Sequence, residues 1–475
     1  MRKGMILINA LVFGSIAIIL VTGLVSWGGV ILKSSRLIVG REQAFHIAEA
    51  GVDYYRWHLA HAVTDYYDGN ASTTSPGPYV HTFADKDGNI IGEYALTITP
   101  PPSGSTVVKI KSRGTFYGVD PISRTILATL AIPSLAKYSV AANDVMRFGS
   151  GTEVFGPIHS NDGIRFDGIT HNLITSAKSF YQDPDDPGPN RFGVYTQVSP
   201  VDPNYPATVP SRPDVFMAGR QFPVPTVDFT GMTTDLSQIR ANAQASGRYF
   251  APSGSQGYRI LLKTNDTFDI YRVTSLVSVP NNCTDVYTQS GWGTWSVKNQ
   301  TYVGTYAFPV NGLIFVEDHV WVEGTINTAR LTIASARFPD TVSTRTSITV
   351  NNPLRYTNID GTDVISLISQ NNFNIGLVSS STMQIDGAII AQNGRAGRYY
   401  YGTNCKISGT NYYDRASLTL FGMIASNKRY GFAYTDGTGY DIRNIIYDGN
   451  LLYSPPPSFP LTSNEYQIIS WDEVR

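Results

Sequence analysis

The amino-acid sequence predicts an α+β protein in which a long N-terminal helix packs on a small antiparallel sheet and a large all-β region of the parallel β-helix or solenoid type follows. Three observations predict this class. The N-terminal residues form a long apolar run that is compatible with a helix. The next segments alternate apolar and polar side chains, as half-buried strands do. Farther along, a short glycine-led motif recurs at irregular spacing between short strands.

The composition favours a folded, exported protein. The chain has 475 residues, of which 42% are hydrophobic and 12% aromatic, and this is enough for sizeable cores. Only 15% of the residues are charged. Tyr, Gly, Asn, Ser and Thr are abundant, as is typical of strands and turns. The net charge is −1, and no Lys/Arg-rich run outside the first residues indicates nucleic-acid binding.

The N-terminal apolar run is long enough to cross a membrane. No charged side chain occurs from Met5 to Leu32, which exceeds the roughly 20 residues that a spanning helix needs. Arg2 and Lys3 precede the run, so the positive-inside tendency places the N-terminus in the cytoplasm and the remaining chain outside. A cleaved secretory signal peptide is the alternative. The run is longer than a usual signal region, however, and Val25–Trp27 offers no small-residue cleavage site.

The helix is expected to continue well beyond the apolar run. No proline or turn cluster interrupts the sequence before about Ala62, which predicts one helix over residues 5–62 with a length of about 87 Å. Its second half carries an apolar stripe at alternating spacings of three and four, formed by Phe45, Ala48, Val52, Tyr55, Leu59 and Ala62. We expect this stripe to pack on a folded domain, and a coiled-coil stalk is the alternative.

Two short segments carry a family resemblance. Arg2-Lys3-Gly4 before Met5 resembles the leader of type IV pilins, and Gln43–Gly51, which contains Ala-Glu-Ala-Gly, is similar to a segment of PilX-like minor pilins. The resemblance implies that residues 1–4 are a prepilin leader, that prepilin peptidase cuts after Gly4, and that the new amine on Met5 is N-methylated. It also implies a single-pass protein that waits in the inner membrane and then enters an extracellular filament.

Asn9 departs from the pattern of major pilins. Those proteins usually carry glutamate at the fifth mature position, where its carboxylate neutralises a neighbour's N-terminal amine. Asn9 stands at this position, and its amide cannot form the ion pair that a charge in hydrocarbon requires. The resemblance therefore implies a minor subunit at the tip or first position of a filament. The residues expected to take part in filament assembly are Asn9, Phe45, Ala48, Glu49 and Val52.

A small antiparallel meander is predicted over residues 63–133. Its three segments alternate apolar and polar residues: Tyr79–Thr99, Thr106–Tyr117 and Ile122–Ile132. Asp87-Gly88 is a turn signal inside the first segment. The apolar stripe of the long helix is expected to cover one face of this sheet.

The region 134–475 is predicted to form stacked rungs, as a right-handed parallel β-helix or an irregular solenoid. Each corner motif begins with a small residue, continues with apolar positions and ends in an amide that can bond neighbouring backbone. Its copies are Gly156–Asn161, Gly387–Gln392, Gly422–Asn427 and a weaker one at Gly312–Ile314. A proline-rich excursion lies between Pro184 and Pro225, and Thr234–Ala245 is predicted as a short helix. The region resembles the large C-terminal domains of PilX-like proteins.

No catalytic residue, metal site or cofactor is predicted. The densest acidic cluster is interpreted as part of a solvated, proline-rich loop, and it consists of Asp183, Asp185 and Asp186. His58 and His61 are close on the helix but lack a third ligand. His159 lies in a corner motif without a nucleophile motif, so it is interpreted as a hydrogen-bonding residue.

The aromatic clusters and the two cysteines are further candidates for interaction and stability. The aromatic residues are interpreted as packing, with stacking on glycans as the alternative, and they are Trp292, Trp295, Tyr399–Tyr401, Tyr412 and Tyr413. Cys283 and Cys405 lie far apart in sequence, in loops that export would expose to an oxidising space. They are the candidate pair for a disulfide.

Three functions remain open on these grounds. The leading one is a non-enzymatic minor pilin-like subunit that presents a large extracellular domain for assembly, adhesion or surface interaction. Its partners would be other pilins, the assembly machinery, prepilin peptidase and the inner membrane, with surface glycans or host proteins as further candidates and no nucleic acid. A membrane-anchored β-helix enzyme acting on glycans is one alternative. A minor pseudopilin of type II secretion is the other, and it does not predict so large a solenoid.

Overall fold

The chain is an α+β protein with one long N-terminal helix and a large β-rich region that contains many parallel strands, as predicted. The computed structural model describes residues 2–70, 75–101, 105–229, 235–462 and 465–474, apart from the side chains of 2–4 and 235. Two compact units are present. The first comprises Met1–Pro101, Val107–Ile132 and Asn464–Arg475, and the second comprises Pro102–Thr106 and Pro133–Ser463.

The first unit consists of a helix and a five-stranded antiparallel sheet in the order β1-β2-β3-β4-β33, with strands numbered along the whole chain. Its elements are α1 (Arg2–His61), β1 (Tyr79–Ala84), β2 (Ile90–Thr99), β3 (Val108–Phe116), β4 (Ile122–Ala131) and β33 (Gln467–Val474). The C-terminal half of α1 packs on this sheet. Its buried side chains are Ala44, Ile47, Ala48, Val52, Tyr55 and Leu59.

The last strand corrects the predicted extent of the second region, which was drawn as 134–475. Strand β33 pairs with β4 in the small sheet, with Trp471 opposite Ala128. The Trp471 ring also lies edge-on to Phe45 of α1, with 5.5 Å between ring centroids. Glu473 of β33 forms an ion pair with Arg124 of β4. Apolar and polar residues do not alternate regularly along Gln467–Val474, so no local pattern predicts this strand or its partner.

The second unit is built from short strands. They are β5 (Val140–Ala142), β6 (Met146–Phe148), β7 (Thr152–Phe155), β8 (Ile158–Ser160), β9 (Ile164–Phe166), β10 (Ile169–Thr170), β11 (Ile174–Ser176), β12 (Phe180–Tyr181), β13 (Arg191–Phe192), β14 (Val194–Tyr195), β15 (Arg220–Gln221), β16 (Arg248–Phe250), β17 (Gly257–Leu262), β18 (Thr267–Leu276), β19 (Val297–Ala307), β20 (Leu313–Val316), β21 (Val320–Ile326), β22 (Arg330–Ser335), β23 (Ile348–Thr349), β24 (Leu354–Tyr356), β25 (Val364–Ser369), β26 (Phe373–Ile375), β27 (Thr382–Ala391), β28 (Ala396–Arg398), β29 (Lys406–Ile407), β30 (Thr410–Asn411), β31 (Asp414–Ser426) and β32 (Gly439–Tyr447). Helix α2 spans Asp235–Ser246, close to the predicted 234–245, and short 3-10 helices occupy Leu135–Lys137, Val342–Thr344 and Gly449–Leu452. Thr234 lies outside the described residues.

Most of these strands stack in three parallel ladders. The first ladder runs β16-β20-β22-β25-β27-β31-β5-β8-β11-β15. The second contains β23-β26-β28 and, separately, β6-β9-β14. The third runs β17-β21-β24-β27-β31-β32-β7-β10. Strands β27 and β31 are long enough to contribute to both the first and the third ladder.

The rungs do not follow one another in chain order. The chain begins the stack in its middle at β5, winds to one end at β15, restarts at the opposite end at β16 and winds back until β31 pairs with β5. The two ends of this unit therefore lie side by side. The backbone N–H of Thr462 donates to the carbonyl of Pro133 at 2.9 Å, and Ser134 forms an antiparallel bridge with Leu461.

Aliphatic side chains at one register of the first ladder form a continuous buried column. Its members are Ile314, Ile333, Leu367, Ile389, Ile424, Val140, Ile158 and Ile174. Alternate residues of the same strands point to the opposite face. There they pack in a second cluster that includes Leu236, Ile239 and Ala243 of α2. The predicted corner motifs supply four members of the column: Ile158, Ile314, Ile389 and Ile424.

The amides that end two of the corner motifs, Asn161 and Asn427, lie two rungs apart, and Asn143 of the rung between them bonds both. The Asn143 side chain donates to Asn427 Oδ1 at 2.9 Å and accepts from Asn161 at 2.8 Å. Asn161 also bonds both backbone polar groups of Val227, at 2.7 and 2.8 Å. These bonds hold the segment that leads from β15 toward α2.

Candidate functional site

The N-terminal half of α1 is an apolar surface without a partner in the chain. From Met5 to Leu32 no residue is charged, and nearly all side chains are exposed, with Met5 and Leu11 near 70%. The first buried position along the helix is Gly40. Within the described residues, α1 is the one helix long and apolar enough to cross a membrane. So large an exposed apolar surface requires lipid or other helices around it.

Polar side chains in this half of α1 differ in how they are satisfied. Ser15 Oγ donates to the Leu11 carbonyl at 2.9 Å, and Thr22 Oγ1 donates to the Ile18 carbonyl at 2.7 Å. Such bonds let a hydroxyl sit in an apolar environment at little cost. Asn9 is exposed, and none of the described residues bonds its amide. Its donors and acceptor are therefore available to a neighbouring helix.

Two of the residues expected to take part in filament assembly lie inside the first unit. Ala48 and Val52 are 0% and 2% exposed and pack the helix on the sheet. Their part in filament assembly stays a prediction. The apolar stripe predicted this packing. The cause is the spacing itself, because positions three and four apart all face the sheet.

Phe45 and Glu49, the remaining two assembly candidates, lie at the edge of the contact between α1 and the sheet. Phe45 is half-buried between the Trp471 ring and the Arg124 guanidinium, which lies 4.9 Å from its centroid. Glu49 keeps 40% of its side chain exposed and lies 3.0 Å from His46 Nδ1. Glu49 therefore belongs to the face of α1 that remains available.

Glycine allows the helix to approach the sheet closely, a feature that the sequence analysis did not single out. A Cβ on Gly51 would overlap Ser112 Oγ and would lie 2.9 Å from Tyr94 Cδ2. On the sheet side, a Cβ on Gly114 would overlap the helix backbone at Ala44 and Ala48. Gly51 is the last residue of the Ala-Glu-Ala-Gly segment, so the need for close packing explains one position of that segment.

The acidic loop is more ordered than predicted. Asp183 is 2% exposed and accepts from Tyr195 Oη, so it is not a solvated residue. Asp185 is paired with Arg147 and Arg429, and Asp186 with Arg191. The prediction of a solvated loop is wrong for Asp183, which is buried. The two arginines that pair with Asp185 lie far away in sequence, so the sequence could not reveal these contacts.

The histidines engage separate partners. His58 Nε2 lies 3.1 Å from Asp65, whereas His61 Nδ1 faces the Trp57 carbonyl at 2.8 Å. In the described part of the chain no group of three or more His, Cys, Asp or Glu side chains is placed to hold a metal. His159 is fully buried in its corner and bonds Thr175 and Asn161, each at 3.0 Å, as expected for a hydrogen-bonding residue.

The aromatic residues near the cysteines pack around a disulfide. Cys283 and Cys405 are bonded, with 4.5 Å between their Cα atoms, and the bond lies in a cluster with buried Tyr399 and Tyr401. Trp292 Nε1 donates to the Tyr400 carbonyl at 2.9 Å. The interpretation of these aromatics as packing is correct for Tyr399 and Tyr401, each 1% exposed.

No family model matches the chain, and no curated protein matches it. Among solved structures, the chain is similar to the competence-associated pilin ComZ from Thermus thermophilus at 13% identity, with 92% of this chain and 98% of that chain covered and a TM-score of 0.31. A score this low carries no argument about function, which rests on the residues of α1.

Proposed function

We propose that the chain is a minor subunit of a type IV pilus-like filament, held in the inner membrane by α1 before assembly. The observation that carries this proposal is the two-part character of α1. One half is uncharged, exposed and of membrane-spanning length, and the other is buried against a folded sheet. One continuous helix of this kind suits a bilayer first and a bundle of similar helices afterwards. The work of the protein is structural: assembly, adhesion or surface interaction.

The leader is residues 1–4, removed by prepilin peptidase between Gly4 and Met5, with N-methylation of Met5. This part of the proposal rests on the resemblance of Arg2-Lys3-Gly4 to pilin leaders. Met1 lies outside the described residues, and α1 is helical from Arg2 onward.

Replacing the leader glycine tests the processing step. Gly4→Arg is expected to leave a single unprocessed species on a gel and to abolish display at the cell surface. Gly14→Ala is the matched control, because Gly14 lies in the same helix with no atom within 4 Å of an added Cβ. Normal processing and display of Gly4→Arg would contradict the assignment.

Asn9 supports a position at the tip or start of the filament. An amide at this position does not neutralise a preceding subunit's amine, and a first subunit has no preceding subunit. Gold-labelled antibodies against a tag on the second unit should therefore mark one end of each filament. Labels spread along the shaft would contradict the tip position while leaving the subunit assignment intact.

The alternative of a glycan-cleaving enzyme is not adopted. Its best candidate carboxylates were Asp183, Asp185 and Asp186. The side chains of the last two are engaged by arginines, and that of Asp183 is buried under Tyr195 Oη. Carboxylates committed in this way lack the freedom to exchange protons with a substrate.

A further inference from the structure

Strand β3 runs alongside α1 toward the exposed apolar half of the helix. Its Ser112 lies against Gly51 of α1, and its Phe116 lies against Gly40. Ser112 and Phe116 are about 13 Å apart along the strand, and Gly51 and Gly40 are about 16 Å apart along the helix. The two elements therefore advance together, in opposite chain directions, and β3 approaches the apolar half of α1 as it ends.

The turn that follows β3 points to the level at which the uncharged run of α1 ends. It comprises residues 117–121, between β3 and β4. Continuing the direction of β3 from Phe116 to Val119 adds at most about 10 Å, which corresponds to about six residues of helix before Gly40. Val119 therefore lies roughly level with Lys33–Arg36, just past the end of the uncharged run.

Exposed apolar side chains collect at this end of the sheet. Val119 in the middle of the turn is 90% exposed, Ile90 at the start of β2 is 59% exposed, and Tyr117 is 46% exposed. The backbone N–H of Tyr117 donates to the Ile91 carbonyl at 2.8 Å, so the turn and the start of β2 lie side by side. We call Ile90, Tyr117 and Val119 the apolar rim. Exposed apolar side chains that cluster in this way indicate a contact surface.

Charges of both signs surround the apolar rim. Lys33 and Arg36 lie at its level on α1 and have no carboxylate partner in the described part of the chain. In the turn before β2, Lys86 pairs with Asp87 at 2.8 Å. The charged side chains in the two turns beside the rim are Asp85, Lys86, Asp87 and Asp120. With the two cations of α1 these charges nearly balance, which favours a zwitterionic partner over a strongly anionic or cationic one.

The length of the uncharged run places the apolar rim at a lipid surface. Lys33 is the first charged side chain after Met5, and about 42 Å of helix separates these two residues. A bilayer with both headgroup layers is about 40–45 Å thick. When α1 spans such a bilayer, Lys33 lies in the outer headgroup layer, and so does the apolar rim beside it. Tyrosine is enriched in this layer because its ring and its hydroxyl suit an interface.

We propose that the apolar rim inserts into the outer headgroup layer of the membrane that α1 spans, so that the small sheet rests directly on a phospholipid surface before assembly. The partner is a phospholipid with a zwitterionic headgroup. Its phosphate accepts from Lys33 and Arg36, and its apolar boundary surrounds Val119 and Ile90. Without lipid, the three apolar side chains of the rim would all face water. The proposal rests on the membrane role proposed for α1.

Fluorescence quenching in lipid nanodiscs tests the proposal on the full-length chain. Cys283 and Cys405 are bonded to each other, so a substituted cysteine is the single free thiol and can carry a small fluorophore. Val119→Cys is the test position. Lys109→Cys is the matched control, because Lys109 is exposed on β3 and lies about 30 Å farther from the membrane. Val25→Cys, inside the uncharged run, reports whether α1 spans the bilayer.

The quencher is a nitroxide on phosphatidylcholine, placed on the headgroup or on the acyl chain. We expect the headgroup nitroxide to quench about half or more of the Val119→Cys signal and to leave the Lys109→Cys signal unchanged. The acyl-chain nitroxide should quench Val25→Cys. An unquenched Val119→Cys beside a quenched Val25→Cys would overturn the insertion of the rim and leave the membrane role of α1 intact. An unquenched Val25→Cys would overturn both.

A charge on the rim provides a second test in which Val119 does not carry the label. The fluorophore is placed on Ile90→Cys, and Val119→Asp should remove about half or more of its quenching, because a carboxylate is costly at the apolar boundary of the lipid. Val80→Asp is the matched control, since Val80 is exposed on β1 about 13 Å from the level of Ile90. Both substitutions replace exposed side chains, so the variants should fold normally. Equal quenching with and without Val119→Asp would overturn the contact of the rim with lipid.

Discussion

At Gly51 the long helix has no room for a side chain. Its Cα faces Ser112, Tyr94 and Leu96 of the sheet, and even a methyl group would overlap them. The apolar stripe of α1 could be predicted from sequence because its period is that of a helix. The need for glycine could not, since it depends on how closely β2 and β3 approach the helix.

Adding a methyl group at Gly51 is expected to destabilise the first unit. Alanine normally stabilises a helix by about 1 kcal/mol relative to glycine, whereas overpacking costs about 1–3 kcal/mol. Gly51→Ala should therefore lower the thermal unfolding temperature. Gly28→Ala, where nothing lies within 4 Å, should leave it unchanged or raise it. A rise in both variants would contradict the packing described for Gly51.

His159 is a buried, neutral imidazole. Asn161 Oδ1 accepts from the Val227 N–H, which fixes the orientation of the amide and assigns the His159 proton to Nε2. Burial is the main cause that lowers the pKa of His159, and Lys137 adds to the effect. Sequence reasoning identified the corner and the hydrogen-bonding role, but Thr175, the second partner, comes from the next rung.

Acid is expected to weaken the second unit through this histidine. The pKa of His159 in the folded protein lies below the unfolded value of about 6.5. The histidine therefore makes its full contribution to the stability of the second unit above that pH. It is lost as the pH falls toward the folded pKa, since the unfolded chain then takes up the proton more readily. The wild-type unfolding temperature should exceed that of His159→Gln by more at pH 7.5 than at pH 5. If the difference between the two unfolding temperatures is not smaller at pH 5 than at pH 7.5, His159 is not neutral in the folded protein.

The corner motifs show which elements could be predicted and which could not. Asn161 and Asn427 end motifs that are visible in the sequence, and their amides lie at corners of the stack two rungs apart. Asn143, which links them, belongs to no recognised motif. Strand β33 was not predicted from the sequence, and its pairing with β4 joins residues more than three hundred positions apart. Local pattern specifies a strand, whereas its partner depends on the whole fold.

The disulfide connects two loops that lie far apart in sequence. Cys283 and Cys405 are 122 residues apart in sequence, and closing so long a loop restricts the unfolded chain substantially. The double variant Cys283→Ser/Cys405→Ser should lose about 2–4 kcal/mol of stability, measured by chemical unfolding. Reductant should lower the stability of the wild type and leave the double variant unchanged. Equal effects of reductant on both would argue against the bond.

At the scale of the whole molecule, the chain order of the rungs is the feature that sequence could not supply. Val140 stacks on Ile424 because the chain starts in the middle of its own stack and returns to it. The sequence does not select this pairing, because an aliphatic residue of any other rung could stack on Val140 or Ile424 as well. The arrangement brings Pro133 and Thr462 together. It also leaves a gap in the second ladder, because no pairing joins β28 to β6 among the described residues.

The proposed function can be tested most directly at the long helix α1. Its apolar half fits a membrane and its other half fits a folded head, and the pilin assignment adds a specific chemical claim about its first residue. Mass spectrometry of the N-terminal peptide, from protein sheared off the surface of cells that carry a prepilin peptidase, tests that claim directly. We predict a peptide that begins at N-methylated Met5. A peptide that begins at Met1, or near Trp27 as after signal-peptide cleavage, would contradict it.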